Sequence, residues 1–134
     1  MENVHSELTG RIVTSAIEVH RALGPGLLER TYRACLQHQL AVDGLAVQEE
    51  VPVPIVYHGI EVESAFRADF VVEGKVIVEL KAVERLLAVH DTQLLTYLKL
   101  TGLPVGLLVN FNVVRLQTGI HRFANTRPRH PVPA

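Results

Sequence analysis

Between Arg67 and Lys81 one hairpin register gathers the apolar side chains on a single side, and that register decides where the charges go. Side chains along a strand alternate between faces. Phe70 and Val72 alternate with Asp69 and Val71, while Val76, Val78 and Leu80 alternate with Ile77, Glu79 and Lys81. Setting Asp69 opposite Glu79 places Phe70 against Val78, Val72 against Val76 and Ala68 against Leu80, so that one face is wholly apolar. A slip of one residue would put Lys75 and Glu79 among the apolar set, because a single slip turns every side chain over. The favoured register needs an odd-numbered turn, Glu73-Gly74-Lys75, with Gly74 at positive φ. The other face then carries Asp69, Glu79 and Lys81 together.

The surrounding sequence reads as helices packed on a sheet. Leu8, Ile12, Ala16, Val19 and Leu23 recur at helical spacing and predict a helix over Ser6–Leu23, broken by Gly24-Pro25-Gly26. A second helix is expected from Leu27 to Asp43 along Leu28, Tyr32, Cys35, Leu36 and Leu40, with Gly44 as its stop. Val47–Tyr57 is valine-rich, and Pro52 and Pro54 mark it as an edge or bulged strand. His58-Gly59 predicts a hairpin turn into Ile60–Ser64. Arg67–Val72 and Val76–Lys81 follow, then a helix over His90–Leu100 ending at Gly102. Val105–Asn110 reads as a buried strand, followed by strand-like stretches at Val113–Leu116 and Ile120–Phe123. The expected class is α/β, a mixed central sheet flanked by helices in the order α-α-β-β-β-β-α-β-β. Residues 1–125 should form one domain and residues 126–134, rich in proline, a flexible tail.

With 134 residues the chain has room for one core but hardly for two. The apolar run Leu103–Val109 is too short to span a bilayer and is interrupted by Pro104 and Gly106, which excludes a membrane-spanning reading. Met1-Glu2-Asn3 shows no basic patch leading into an apolar stretch, and the one cysteine, Cys35, has no internal partner. Both features suggest a reducing, cytoplasmic location. The formal net charge of −1 does not argue for nucleic acid. Its distribution says slightly more: residues 43–84 hold nine acids and three bases, whereas 111–134 hold Arg115, Arg122, Arg127 and Arg129 and no acid.

Two carboxylates a strand spacing apart repel unless a cation lies between them. Hard oxygen ligands at that separation suit Mg²⁺ or Mn²⁺, with water and a substrate phosphate completing the shell. Lys81 could then orient a water and neutralise phosphate charge. Such a site hydrolyses phosphodiesters. The bland alternative, a solvated salt-bridge cluster on an exposed sheet face, accounts for most Asp…Glu-x-Lys patterns in arbitrary sequences. The histidines show no paired ligand spacing, and none has a cysteine partner for zinc.

Asp69, Glu79-Leu80-Lys81 at a strand end, and Gln93 and Tyr97 on the next helix together resemble the PD-(D/E)xK nuclease superfamily, in its Gln-x-x-x-Tyr branch. Ala68 stands where the superfamily's name has proline. More narrowly, Gly26-Leu-Leu-Glu29-Arg-Thr-Tyr32 is similar to the motif of the small GxxExxY proteins, and the likeness runs through roughly residues 8–125. The resemblance implies a restriction-endonuclease-like core and a metal set of Asp69, Glu79 and Glu29. It also implies Lys81 as the catalytic lysine and Gln93 and Tyr97 as substrate-binding residues. Spacing is compatible with this. Glu29 and Tyr32 share a helix face, as do Gln93 and Tyr97, with Leu94, Leu95 and Leu98 expected on the buried side.

The expected activity is therefore a Mg²⁺-dependent (or Mn²⁺-dependent) nuclease acting on DNA. Two other readings remain open. One is a non-catalytic nucleic-acid- or protein-binding module on the same scaffold, and the other is a nucleotide phosphohydrolase. Oligomeric state is open, a homodimer included.

Overall fold

In the computed structural model, which describes residues 4–63 and 66–125, the helical periodicity of the opening segment becomes two helices, α1 (Ser6–Leu23) and α2 (Glu29–Val42). Ile12, Ala16 and Val19 of α1 and Tyr32, Leu36 and Leu40 of α2 are buried, as a three-and-four spacing dictates. Asp43 fastens the pair: its Oδ2 accepts from Ser15 Oγ at 2.5 Å and its carbonyl from Arg11 Nη2 at 2.7 Å. Strands β1 (Val47–Pro52), β2 (Ile55–Tyr57), β3 (Ile60–Val62), β4 (Arg67–Val72) and β5 (Val76–Lys81) follow, then α3 (Ala88–Thr101), β6 (Val105–Asn110) and β7 (Ile120–Ala124).

The main sheet has the order β1-β4-β5-β6-β7, while β2 and β3 form a separate hairpin. Among the described residues only β5 and β6 run parallel, joined through α3 as a parallel pair requires. These two central strands are buried almost throughout, because helices cover both faces. On one face α1 and α2 pack over Phe70, Val72, Val76, Val78 and Leu80. On the other, Leu94, Tyr97 and Leu98 of α3 pack over Val71, Ile77 and Leu108. The start of α3 is tied to β7 by His121 Nδ1 and Asp91 Oδ1, 2.8 Å apart. Among the described residues no helix is long and apolar enough to cross a membrane.

The β4–β5 register is the expected one: Phe70 faces Val78, Val71 faces Ile77 and Val72 faces Val76. Its turn is Glu73-Gly74-Lys75, with Gly74 at φ 65° and, unforeseen, Glu73 also left-handed at 55°. The His58-Gly59 hairpin forms too, both residues at positive φ as a two-residue turn demands.

Four expectations need correction. Val47–Tyr57 is two strands, not one, since Pro52 and Pro54 flank a break at the buried Val53. Val113–Leu116 is no strand. Its Val113 carbonyl lies 2.7 Å from His20 Nε2, Val114 is exposed, and Leu116 enters the core by starting a 3-10 turn, Leu116–Gly119. Ala68 does not face Leu80: it joins the α3-side cluster, while Leu80 joins the other. Leu95, placed on the buried side of its helix, is exposed. Ser64, the expected end of the strand that begins at Ile60, and the proposed tail 126–134 lie outside the described residues.

Glycine at position 106 sets how closely α3 approaches the sheet. A Cβ there would lie 2.8 Å from Leu94 Cδ1 and 3.0 Å from its Cγ, and Leu94 is fully buried. Gly106→Ala is expected to destabilise the protein by about 1–3 kcal/mol through overpacking. In a Leu94→Ala background the same change should cost much less, measured by urea unfolding. An equal cost in both backgrounds would show that the contact with Leu94 is not what limits the helix.

Candidate active site

Asp69 stands where β4 loses both neighbours. Pairing with β1 skips the Glu50–Asp69 step, because Glu50 is left-handed at φ 49°, and pairing with β5 stops at Phe70–Val78. The strands part there, and side chains take over the ladder. Asp69 N–H donates to Glu79 Oε2 at 2.9 Å, and Leu80 N–H donates to Asp69 Oδ2 at 2.8 Å. Each carboxylate thus holds the backbone of the other's strand. The two acids meet, as the hairpin register implied, but at a fork rather than across a regular ladder.

Glu29 arrives from the opposite layer by way of the Gly24-Pro25-Gly26 corner. Tyr32, fully buried and stacked on Phe111 with ring centroids 4.6 Å apart, closes that corner. Its hydroxyl donates to the Gly24 carbonyl at 2.5 Å and accepts from Leu27 N–H at 3.1 Å. This gives the Gly-x-x-Glu-x-x-Tyr spacing a physical meaning: the tyrosine fixes the loop that launches α2, and Glu29 is the first residue of that helix. One turn later, Arg33 Nη2 lies 2.9 Å from Glu29 Oε2 and 2.9 Å from Asp69 Oδ1, bridging the two acids.

Lys81 ends β5, paired with Asn110 of β6. Among the described residues its ammonium makes no hydrogen bond or ion pair, yet its charge acts on both Glu29 and Glu79. The buried Asn110 locks the chain just beyond it, accepting from Val83 N–H at 3.1 Å and donating to the Val83 carbonyl at 3.0 Å. From α3, Tyr97 is 5% exposed and its hydroxyl has no partner among the described residues. That buried orphan is unusual, since lost hydration is normally replaced. Gln93, one turn earlier, is half-buried. His90, by contrast, turns to its own helix, its Nδ1 accepting from Leu87 N–H at 2.9 Å.

The electrostatics follow from this crowding. Glu79 is 7% exposed, and burial together with the Asp69 carboxylate pushes its pKa up to about 8, against the opposing Asp69 N–H and Lys81. Glu29 is raised by burial and by Asp69, with Lys81 and Arg33 pulling the other way. The Tyr97 hydroxyl is pushed upward by burial and by the charges of Glu79 and Asp69, so it stays a proton donor at neutral pH. Three acids converge with two cations.

Sequence reasoning missed Arg33 and Asn110. Arg33 lies four residues after Glu29, the spacing of an ordinary helical ion pair, and nothing in the sequence shows that it reaches Asp69. Asn110 carried a signal, being the polar end of the apolar run that lies beside Lys81.

Glu29, Asp69 and Glu79 supply the hard oxygens a divalent cation prefers. In donor chemistry they fit such an ion. Among the described residues, however, no group of three or more His, Cys, Asp or Glu is already arranged as a cage, and the Arg33 guanidinium stands between two of the acids. A family model described as the PD-(D/E)XK nuclease superfamily matches residues 6–123, which includes every one of these positions. Neither the curated proteins nor the solved structures contain a match to the chain.

Two outcomes are expected. Between the ordinary carboxylate range and about pH 8, folded Glu79 keeps a proton that the unfolded chain has released, so stability falls as pH rises through that window. In chelator-treated protein the free energy of unfolding should decline accordingly, by no more than about 1.4 kcal/mol per pH unit from this group, and Glu79→Gln should flatten the slope. A slope unchanged in that variant would mean that Glu79 is not the group. Tyr32→Phe should cost about 1–3 kcal/mol in chemical unfolding, since the Leu27 N–H and Gly24 carbonyl both lose their partner.

Proposed function

We propose, from the premise that the chain belongs to the PD-(D/E)XK nuclease superfamily, that it is a metal-dependent nuclease hydrolysing phosphodiester bonds of DNA. The observation that carries this reading is the fork at Asp69. Strands that part where two acids meet bring their carboxyl oxygens together; the charge of Lys81 acts on Glu79 there, and both acids act on the Tyr97 hydroxyl, which has no partner among the described residues. Asp69, Glu79 and Glu29 are the metal-binding set in this reading. A divalent ion, Mg²⁺ or Mn²⁺, supplies charge stabilisation at the phosphate and eases ionisation of the attacking water.

The chain's own groups do the rest. Lys81, free of ion pairs among the described residues, holds a water or a phosphate oxygen. Tyr97 donates its idle hydroxyl toward the phosphate, and Gln93 one turn before it steers the strand. Asn110 fixes the backbone beyond Lys81, so that the ammonium is presented from a rigid base. Within the superfamily we place the chain with the GxxExxY proteins of the Gln-x-x-x-Tyr branch, a reading supported by the corner that Tyr32 closes. Residues 1–125 serve as the single nuclease domain and 126–134 as its tail. A cytoplasmic setting accords with the lone cysteine, Cys35, and exposed Tyr57 and Ile60 on the β2–β3 hairpin offer a face for a homodimer.

One observation favours a second reading. With Arg33 across Glu29 and Asp69, the scaffold could bind nucleic acid or a protein partner without turnover. Strand scission that appears only with added Mg²⁺ supports the enzyme; salt-dependent binding with no products supports the module. Asp69→Asn and Lys81→Ala should each lower Mg²⁺-dependent DNA cleavage by about a hundredfold or more, with circular dichroism unchanged. Full cleavage by either folded variant would remove that residue from the mechanism.

A further inference from the structure

Arg33 is bound in an unusual way for a structural arginine. Both of its ion pairs run through the same atom, Nη2, at 2.9 Å to Glu29 and 2.9 Å to Asp69. The parallel two-nitrogen fork that makes arginine–carboxylate pairs strong is not used. Its Nε is buried with no hydrogen-bond partner among the described residues, a cost that a settled side chain avoids. The side chain is 27% exposed, so a route to solvent is open.

The position matters more than the bond count. Nη2 touches Oδ1 of Asp69, whereas Oδ2 is taken by the Leu80 N–H. Arg33 therefore covers the one Asp69 oxygen not committed to holding the β4–β5 fork. It also covers a carboxylate oxygen of Glu29, so it occupies one ligand atom from each of two proposed metal ligands. Two carboxylates facing each other need positive charge between them, and a guanidinium or a divalent ion can supply it, but not both at one point.

We infer that Arg33 is a resident counter-ion of the acidic site, holding Glu29 and Asp69 together until a divalent cation displaces it. This deepens the nuclease reading and rests on it. The arginine is a positioning residue: it keeps the acids converged at no cost in mutual repulsion, and it lowers apparent metal affinity because only the Arg33-out state can bind. A purely structural arginine would do the reverse, since its loss would disorder the ligands and weaken metal binding.

The test is Mn²⁺ titration by calorimetry on wild type and Arg33→Gln, with thermal unfolding of both in chelator. Arg33→Gln is expected to melt lower without metal and to bind Mn²⁺ about tenfold tighter. Mn²⁺ affinity that is unchanged or weaker in a folded variant, while wild type binds, overturns the inference and leaves the nuclease reading standing. Absence of Mn²⁺ binding in both proteins overturns the metal-dependent reading and this inference with it. Should the variant not fold, the Arg33 Nε–H signal of the wild type decides by nuclear magnetic resonance. Its exchange with solvent should speed up on saturation with Mg²⁺, and an unaltered exchange rate would refute displacement.

Discussion

The crossed hydrogen bonds between Asp69 and Glu79 hold the strand ends apart and together at once. Where β4 and β5 stop pairing, two backbone N–H groups would be left buried and unmet, and a buried unpaired amide is costly. Each is met by the carboxylate from the opposite strand. Removing either acid would therefore loosen the geometry of the other. The fork is stable only as a pair, and everything else at the site is arranged around it: α2 brings Glu29 and Arg33 from one layer, α3 brings Gln93 and Tyr97 from the other, and Asn110 pins the exit of β5.

This arrangement explains why so many polar groups can be tolerated at the end of an otherwise apolar sheet. Three carboxylates in one place would repel strongly in a medium of low polarisability. Glu79 answers by holding its proton to about pH 8, and Arg33 answers by lying across Glu29 and Asp69. Protonation and ion pairing are two responses available to a crowded acidic cluster, and both are present. A site built this way responds to a cation by exchanging protons and counter-charges, so its pH dependence and its metal dependence are expected to be coupled.

Much of the framework was legible because it depends on periodicity. The α1 boundaries follow from apolar spacing and a glycine stop, and the β4–β5 register from strict alternation and an odd turn. The meeting of Asp69 and Glu79 is a corollary of that register. What could not be read was local backbone handedness. Nothing in the sequence marks Glu50 as left-handed, yet its conformation interrupts the ladder at Asp69, and beyond that break Ala68 lies on the α3 side. Val113–Leu116 looked like a strand because Val113, Val114 and Leu116 are apolar, but these are claimed separately by His20, solvent and the core. Arg33 carries no signal beyond its ordinary helical spacing from Glu29; its second partner is 36 residues away in sequence and close only in the fold.

Glu50 also bears on how the molecule keeps to itself. It belongs to β1, the outermost strand on its side of the sheet, together with the exposed Glu49 and with Pro52, which has no N–H to offer. A left-handed residue, adjacent negative charges and a missing donor spoil that rim as a template for a neighbouring molecule's strand. The same kink that interrupts the β1–β4 ladder at Asp69 thus also discourages fibre-like stacking along an edge that would otherwise be unguarded.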